Sequence, residues 1–373
     1  MTSVSGQIGI VGCGFVADLY MKSLALYPDL SVVAAFDHNP ERLEAFCRYW
    51  QIEAAASVQA VLAAAPDVVC NLTNPSSHYA VTKELLLAGV SVYSEKPLAM
   101  EMDEARELCE LAEAKALRLA AAPCSVLSDT AETLRQVIAD GTAGPIRLVY
   151  AELDDGFIPQ APYDKWLSAS GAPWPFEDEF KVGCTVEHAG YYLTWLVACF
   201  GPVETVVASS SVVIPDKLDE PVDTPDFSVA VLHFQSGVVA RLTCSIVAPH
   251  NHRLLLIGDR GNLEVDEAWN NNVGVRFRRR LTVRRRLMEA PIARRVKMRG
   301  ARQLRVGRAG AASMNFALGP IDMLNAIKAG QPSRLDPAFC LHINEITLAI
   351  QNSGSKSGAQ SMTTTCRPLK PLA

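Results

Sequence analysis

Two short motifs in the first hundred residues carry the residue types needed for chemistry on a dinucleotide: Gly12-Cys13-Gly14-Phe15-Val16-Ala17 and Glu95-Lys96-Pro97. Residues 8–11 read as a short apolar strand. Glycines at 12 and 14 then permit the tight turn and close backbone approach that a pyrophosphate on a helix N-terminus requires, with Ala17 replacing the third glycine. Residues 31–36 read as a second buried strand ending at Asp37, where a carboxylate meets the adenosine ribose hydroxyls and repels a 2′-phosphate, favouring NAD over NADP. The competing reading makes Asp37 the N-cap of a helix starting near Pro40. Glu95-Lys96-Pro97 brings a lysine to the end of another strand, 90–93, where its ammonium could stabilise an alkoxide; an ordinary surface lysine is the alternative.

These residues need a scaffold, and the first 125 residues alternate strand and helix patterns. A helix from Pro40 to Trp50 leads to an apolar strand at 67–72, then Thr73-Asn74-Pro75 and a helix beginning near His78 that stops at Gly89. After the strand at 90–93 come a helix over 102–116 and a strand over 117–122. This is a parallel doubly wound sheet, and ligands bind beyond the carboxyl ends of its strands, where Gly12, Asp37, Thr73 and Lys96 fall. From 146 the texture changes to successive strands, at 146–153, 204–214, 227–234, 238–247, 253–257, 263–265 and 273–278, which predicts a mainly antiparallel sheet. One helix, 185–199, interrupts it; others follow at 319–328 and 337–351, and the tail after Ser353 is expected to be loose. The reading is therefore a dinucleotide-binding domain over 1–125 and an α+β domain over 126–373 for substrate and oligomer contacts.

Composition sets outer limits. Hydrophobic residues make up 49% and charged residues 20%, as in an ordinary globular protein, and no apolar run is long enough to span a bilayer. Ten dispersed cysteines, with no CxxC pair and no Cys/His cluster at zinc spacing, point to reduced thiols, a cytoplasmic location and no structural metal. His250 and His252 share a strand face by spacing, but without a third ligand nearby they read as structural. Between Arg276 and Arg308 lie fourteen basic residues against one acid, Glu289. Such a segment suits an anionic substrate such as a nucleotide-sugar diphosphate, an anionic polymer or lipid surface, another subunit, or solvent. No nucleic-acid-binding motif accompanies it.

With these motifs in place, the chain resembles the family of glucose-fructose oxidoreductase, inositol dehydrogenase and the MocA proteins (Gfo/Idh/MocA). Carrying the resemblance are Gly12 to Ala17, Asp37 with Asn39-Pro40-Glu41-Arg42, Asn74-Pro75 with His78, Glu95-Lys96-Pro97, the Gly144-Pro145-Ile146 turn and the helix beginning Gly183-Cys184-Thr185. It implies an N-terminal Rossmann domain, then an α+β domain whose large open sheet supports homodimers or homotetramers, with sugar or cyclitol oxidation or reduction at the junction. The cofactor would be held by Gly12, Gly14, Phe15, Val16, Asp37, Arg42, Thr73, Asn74, Pro75, His78, Glu95, Lys96 and Pro97. The peptide before Pro97 would be cis, aiming Lys96 at the nicotinamide.

The resemblance also bears on proton transfer. Family members carry an aspartate and, four residues later, a histidine on the helix after Gly183; in the register set by Gly190, His188 takes the first place and Tyr192 the second. Hydride removal from an alcohol needs a base within hydrogen-bond reach of the hydroxyl, so Lys96, Tyr192 and His188 form the expected catalytic set. The resemblance favours Tyr192, its phenol tuned by Lys96; the alternative is that both aromatic and imidazole only pack. Lys96, Asp154, Trp166, Lys181, His188 and Tyr192 are the expected substrate contacts, and the Pro/Trp loop at 171–176 could equally be a subunit contact. The reading is an NAD-dependent enzyme that oxidises a ring hydroxyl, or reduces its ketone, in a carbohydrate, with carbon 3 as the position. The substrate would be a glycoside, nucleotide sugar or cyclitol. Alternatives are a glycosidase using transient oxidation, a catalytically inactive cofactor-bound sensor, and an interaction protein using the arginine segment.

Overall fold

In a computed structural model that describes residues 5–356 and 358–372, the chain forms two compact units. The first contains the chain through Cys124 together with Gln160–Val182 and Asn315–Asn344; the second contains Ser125–Pro159, Gly183–Met314 and the chain from Glu345. The first crossing lies one residue from the expected boundary, but a single cut does not describe the chain, because two later segments pack with the first unit.

The first unit is built on five parallel strands, β1 (Gly6–Val11), β2 (Leu30–Phe36), β3 (Val68–Asn71), β4 (Ser91–Ser94) and β5 (Leu119–Ala121), in the order β2-β1-β3-β4-β5. Helices α1 (Phe15–Leu24), α2 (Pro40–Trp50), α3 (Val58–Ala63), α4 (His78–Leu87) and α5 (Met102–Ala114) alternate with them. Ile8, Ile10, Val68, Val69, Val92 and Leu119 are wholly buried, as apolar runs in a sheet covered on both faces must be. Asn39, not Asp37, caps α2: its side chain accepts the Arg42 N–H at 3.0 Å, and Pro40 occupies the first turn. That leaves Asp37 at the carboxyl end of β2 for another task. Parallel strands put the residues following β1, β2, β3 and β4 on one edge, so the Gly12–Gly14 turn, Asp37, Thr73 and Glu95-Lys96-Pro97 share it.

The second unit holds α6 (Asp129–Ala139), α8 (Cys184–His188) and α9 (Gly190–Phe200), the intervening α7 (Phe176–Val182) belonging to the first. Its sheet comprises β6 (Ile146–Phe157), β7 (Val203–Ser211), β8 (Phe227–Phe234), β9 (Val239–Ser245), β10 (Val247–Asn251), β11 (Leu254–Gly258), β12 (Gly261–Val265), β13 (Arg276–Val283), β14 (Arg286–Glu289), β15 (Arg294–Arg295) and β16 (Ala359–Ser361). The order is β14-β13-β12-β11-β6-β9-β8-β7-β16, with β10 also on β6 and β15 on β13; β6 and β9 are parallel and the other pairs antiparallel. Val149, Ala151, Leu153, Leu232, Ala240, Leu242, Leu254 and Leu256 supply its buried face. β6 runs to Phe157, beyond the predicted end at 153, and so places Asp154 and Asp155 on a strand rather than a loop. The helix predicted over 185–199 is divided at Ala189, just before Gly190, a weak helix former, although the Leu193 N–H still reaches the Ala189 carbonyl at 3.0 Å.

The tail is not loose. β16 adds to the edge of β7, Met362 donates to the Glu204 carbonyl at 2.9 Å and Leu369 to that of Ala198 at 3.0 Å. Glu345, in the last helix (Pro337–Gln351), accepts four hydrogen bonds, from the N–H and hydroxyl groups of Thr363 and Thr364, at 2.5–2.9 Å. Chain ends are loose unless tied down, and here main-chain pairing and one carboxylate tie this one. Among the described residues no helix is long and apolar enough to cross a membrane.

Burial pushes the Glu345 carboxyl up, but the four donors outweigh it and hold the group below its ordinary value of 4.5. A depressed carboxylate contributes stability that is present above its unfolded pKa and lost as pH falls through the folded one. Glu345→Gln should therefore lower unfolding stability at neutral pH by about 2 kcal/mol, and the gap between variant and parent should close below about pH 4.5. Denaturant unfolding at both pH values checks this, and a gap independent of pH would refute it.

Candidate active site

Each unit holds some of the expected site residues. In the first, Gly12 adopts φ +96°, and a Cβ there would lie 2.6 Å from the Leu72 backbone, so only glycine fits where β1 and β3 crowd together. Gly14 is the N-cap of α1 and provides no side-chain cap, while a Cβ on it would meet nothing within 4 Å. The helix thus begins behind an open space, with Phe15 and Val16 in its first turn, as a pyrophosphate requires. The Asp37 carboxylate accepts the N–H groups of Cys13 and Asn39, each at 2.8 Å, which locks it between the glycine turn and the α2 cap. Arg42 stands 3.6 Å from it. These residues could hold an adenine dinucleotide, with Gly12, Gly14 and the α1 N-terminus toward its phosphates and Asp37 toward its ribose.

The rest of this edge is held by side chains of two kinds. Asn71, which sequence reasoning passed over, accepts the Thr73 hydroxyl at 2.7 Å and donates to Thr82 at 2.9 Å and to the His78 carbonyl at 3.1 Å, fixing the turn after β3. His78 departs from its expected contact with cofactor. It is wholly buried, with Nδ1 2.7 Å from the Pro97 carbonyl and Nε2 2.9 Å from that of Thr73, and so ties two loops together from beneath. Glu95 is likewise buried: Tyr20 donates to it at 2.7 Å and the Lys96 N–H at 3.1 Å. Both act on the cofactor edge through the backbone they position. Lys96 is half-buried and its peptide to Pro97 is cis; Asn74 is exposed and donates to Asp178, and Pro75 opens the short helix before α4.

The expected substrate residues are divided. Trp166 lies in the first unit and packs edge-on against Trp174, with ring centroids 5.2 Å apart, within a cluster that includes Tyr163, Phe176 and Phe180. Lys181 is exposed on α7 and pairs with Glu177 at 3.7 Å. Asp154 sits on β6, where burial first and Glu152 second raise its pKa to about 6. Side-chain alternation along β6 turns it to the opposite face from Asp155.

Asp155 is where the second unit concentrates its chemistry. Its side chain is 10% exposed, and Oδ2 lies 3.4 Å from His188 Nε2, while Oδ1 lies 3.8 Å from His250 Nδ1 and 3.9 Å from His252 Nε2. Glu267, beyond β12, grips the far side of both later imidazoles, at 2.6 Å from His252 Nδ1 and 3.0 Å from His250 Nε2. Trp269 packs edge-on against His252 at 4.5 Å between ring centroids. Asp155 and Glu267 raise the His250 pKa to about 9. Burial pushes Glu267 up, but His252 and its other donors prevail and draw it down to about 2. His250 and His252 do have a third group beside them, Asp155, so the ground for reading them as merely structural is gone. Their two-residue spacing was the available signal. Glu267 had none, since the β11–β12 hairpin alone brings it back.

Tyr192 does not occupy a position for proton exchange. Its side chain is wholly buried, its ring packs edge-on against Trp195 at 5.7 Å, and its hydroxyl donates to the His252 carbonyl. Burial, with Glu267 adding to it, raises its pKa well above the usual phenol value. The register from Gly190 gave its helical position, but packing turned it inward. Tyr192 steadies the strand end that bears His252, and among the expected acid/base residues only His188 joins the Asp155 cluster.

Two family models match: "Oxidoreductase family, NAD-binding Rossmann fold" over residues 7–122 and "GFO/IDH/MocA C-terminal domain" over residues 131–264. A trans-1,2-dihydrobenzene-1,2-diol dehydrogenase of Bos taurus is 26% identical over 267 residues, covering 70% of this chain and 75% of that protein. The fold is shared with the UDP-N-acetylglucosamine 3-dehydrogenase GnnA of Acidithiobacillus ferrooxidans, at TM-score 0.68 and 21% identity over 93% of this chain and 97% of that one. It is shared also with the WlbA dehydrogenase of Bordetella pertussis, solved with NADH and UDP-GlcNAcA, at TM-score 0.72 and 17% identity over 97% and 99%. With a glycine turn, Asp37 at the end of β2 and a Glu-Lys-Pro edge in the first unit and matches to both models, this chain belongs to the GFO/IDH/MocA family of oxidoreductases and carries its NAD-binding Rossmann domain.

Proposed function

We propose that this protein oxidises a ring hydroxyl to a ketone, or reduces the ketone, in a sugar or sugar derivative, with carbon 3 of a hexose-like ring as the reacting position. The observation that carries this reading is the convergence of His188, His250 and His252 on Asp155, a partly buried set of donors and acceptors suited to neighbouring hydroxyls. The diol of one relative's name and the 3-dehydrogenase activity of one structural neighbour's support a ring CH–OH as the target. The nicotinamide cofactor, when bound, would accept the hydride as NAD+ in the oxidation or supply it as NADH in the reduction. His188, whose Nε2 lies 3.4 Å from Asp155, is the group proposed to exchange the hydroxyl proton, and Lys96 the group proposed to stabilise developing negative charge, by roughly 3 kcal/mol. Tyr192 and Glu267 are positioning residues that act through His252 and His250. Assembly into homodimers or homotetramers through the large sheet, which exposes Leu148, Tyr150 and Val207, belongs to the same proposal.

The direct test is NADH formation across a panel of cyclic sugars, glycosides, nucleotide sugars and cyclitols. If protein that binds NAD forms NADH with none, the reading falls. On a substrate so found, Lys96→Met should keep NAD affinity within a few fold and lower turnover by about two orders of magnitude, the loss of one charge-stabilising group. A variant keeping a tenth of the parent rate removes Lys96 from the chemistry. His188→Asn should be similarly impaired, whereas Tyr192→Phe should keep most turnover and lose about 1 kcal/mol of stability with its one hydrogen bond. The reverse order of the two variants would return the proton to Tyr192. Asp37→Ala should weaken NAD and narrow its advantage over NADP, because the carboxylate that meets the ribose and repels a 2′-phosphate is gone. Tighter NADP than NAD binding by the unaltered protein would reject that role.

A further inference from the structure

We propose that Asp155, His250 and His252 form a binding site for one divalent transition-metal ion of the zinc type. The three side chains bring one carboxylate oxygen and two imidazole nitrogens within 4.8 Å of one another, on β6, on β10 and directly after β10. Zinc binds nitrogen at about 2.0–2.1 Å and oxygen at about 2.0–2.2 Å, so two donors to one tetrahedral ion lie roughly 3.3–3.6 Å apart. The Oδ1–nitrogen separations of 3.8 and 3.9 Å exceed that by only a few tenths of an ångström, which small side-chain rotations onto an ion would close, and they are too long for hydrogen bonds.

Three further observations point the same way. His252 Nε2 is buried without a hydrogen-bond partner, on a side chain that is 0% exposed, and it faces Asp155. A lone buried ring nitrogen is costly unless something is bound to it. The opposite nitrogens of both histidines are taken by the two oxygens of a single carboxylate, Glu267, at 2.6 and 3.0 Å. This is the outer-shell arrangement that fixes tautomer and ring orientation in metal-binding histidines. Finally, Asp155 divides its oxygens: Oδ1 faces the two later imidazoles and Oδ2 faces His188, so an ion on Oδ1 leaves the His188 contact intact. Two nitrogens and one carboxylate oxygen favour a zinc-type ion over magnesium or calcium, which take oxygen ligands. With three protein donors the ion keeps a position for water or a substrate oxygen, and His250, 48% exposed, marks the open side.

The inference does not need the proposed reaction, and the experiment reads metal rather than turnover. The purified full-length chain, stripped with chelator and dialysed, is titrated with ZnCl2 and separately with MgCl2 by calorimetry, with bound metal measured after desalting. Expected are one equivalent of Zn2+, a higher unfolding temperature with zinc, and no response to Mg2+. Glu267→Gln should weaken zinc about 10- to 100-fold, and His250→Ala should weaken it at least as much with NAD binding preserved as proof of folding. His252→Ala, at a buried position, is a supporting variant judged only if it too binds NAD. The proposal is overturned if the folded parent retains no more zinc than His250→Ala. It is equally overturned if zinc binds but neither His250→Ala nor Glu267→Gln changes its affinity, which would place the ion elsewhere, as on a cysteine.

Discussion

A carboxylate that is only one-tenth exposed must be met by cationic or donating groups, and in the second unit Asp155 imposes that demand. Three imidazoles answer it from α8, from β10 and from the residue just after β10, and Glu267 holds two of them from behind. Each partner explains an otherwise odd local feature. β6 must extend past Leu153 for Asp155 to be a strand residue. Tyr192 must turn inward to hold the His252 carbonyl. β11 and β12 must return as a hairpin for Glu267 to arrive. Electrostatics and topology are thus one constraint here: removing Glu267 would leave both histidines without their orienting partner.

The first unit solves a different problem, the close approach of one stretch of backbone to another at the edge of a parallel sheet. Gly12 is squeezed against Leu72, Asp37 ties the turn to the α2 cap, and His78 and Asn71 hold the neighbouring loops by their carbonyl and amide groups. Buried polar side chains here shape main chain. That role explains why His78 and Glu95, both expected to touch cofactor, are buried and hold main chain instead.

Local signals were legible in the sequence. The glycine turn, the β2 terminus at Asp37, the helix Pro40–Trp50 and the strand Phe227–Phe234 follow from caps, periodicity and turn residues, which act over a few positions. What stayed hidden depends on chain returning from afar. Residues 155, 188, 252 and 267 meet through a sheet register that no window contains, and the inward turn of Tyr192 depends on what packs over α9. The segments at 160–182 and 315–344 read as part of the second unit because order along the chain, not packing, was all that could be followed.

The two ends of the eleven-stranded sheet are finished differently. At one, the tail strand β16 covers the hydrogen-bonding groups of β7; at the other, the fully exposed β14 follows Arg284 and Arg285 and begins with Arg286. Bare strand edges invite other chains to add on, and charge or cover is what discourages it. Much of the arginine concentration therefore reads as a guard against edge-to-edge association. The tail, in turn, is a shield whose removal would convert a finished margin into a sticky one, so shortening the chain ahead of Ala359 threatens solubility before it touches the chemistry.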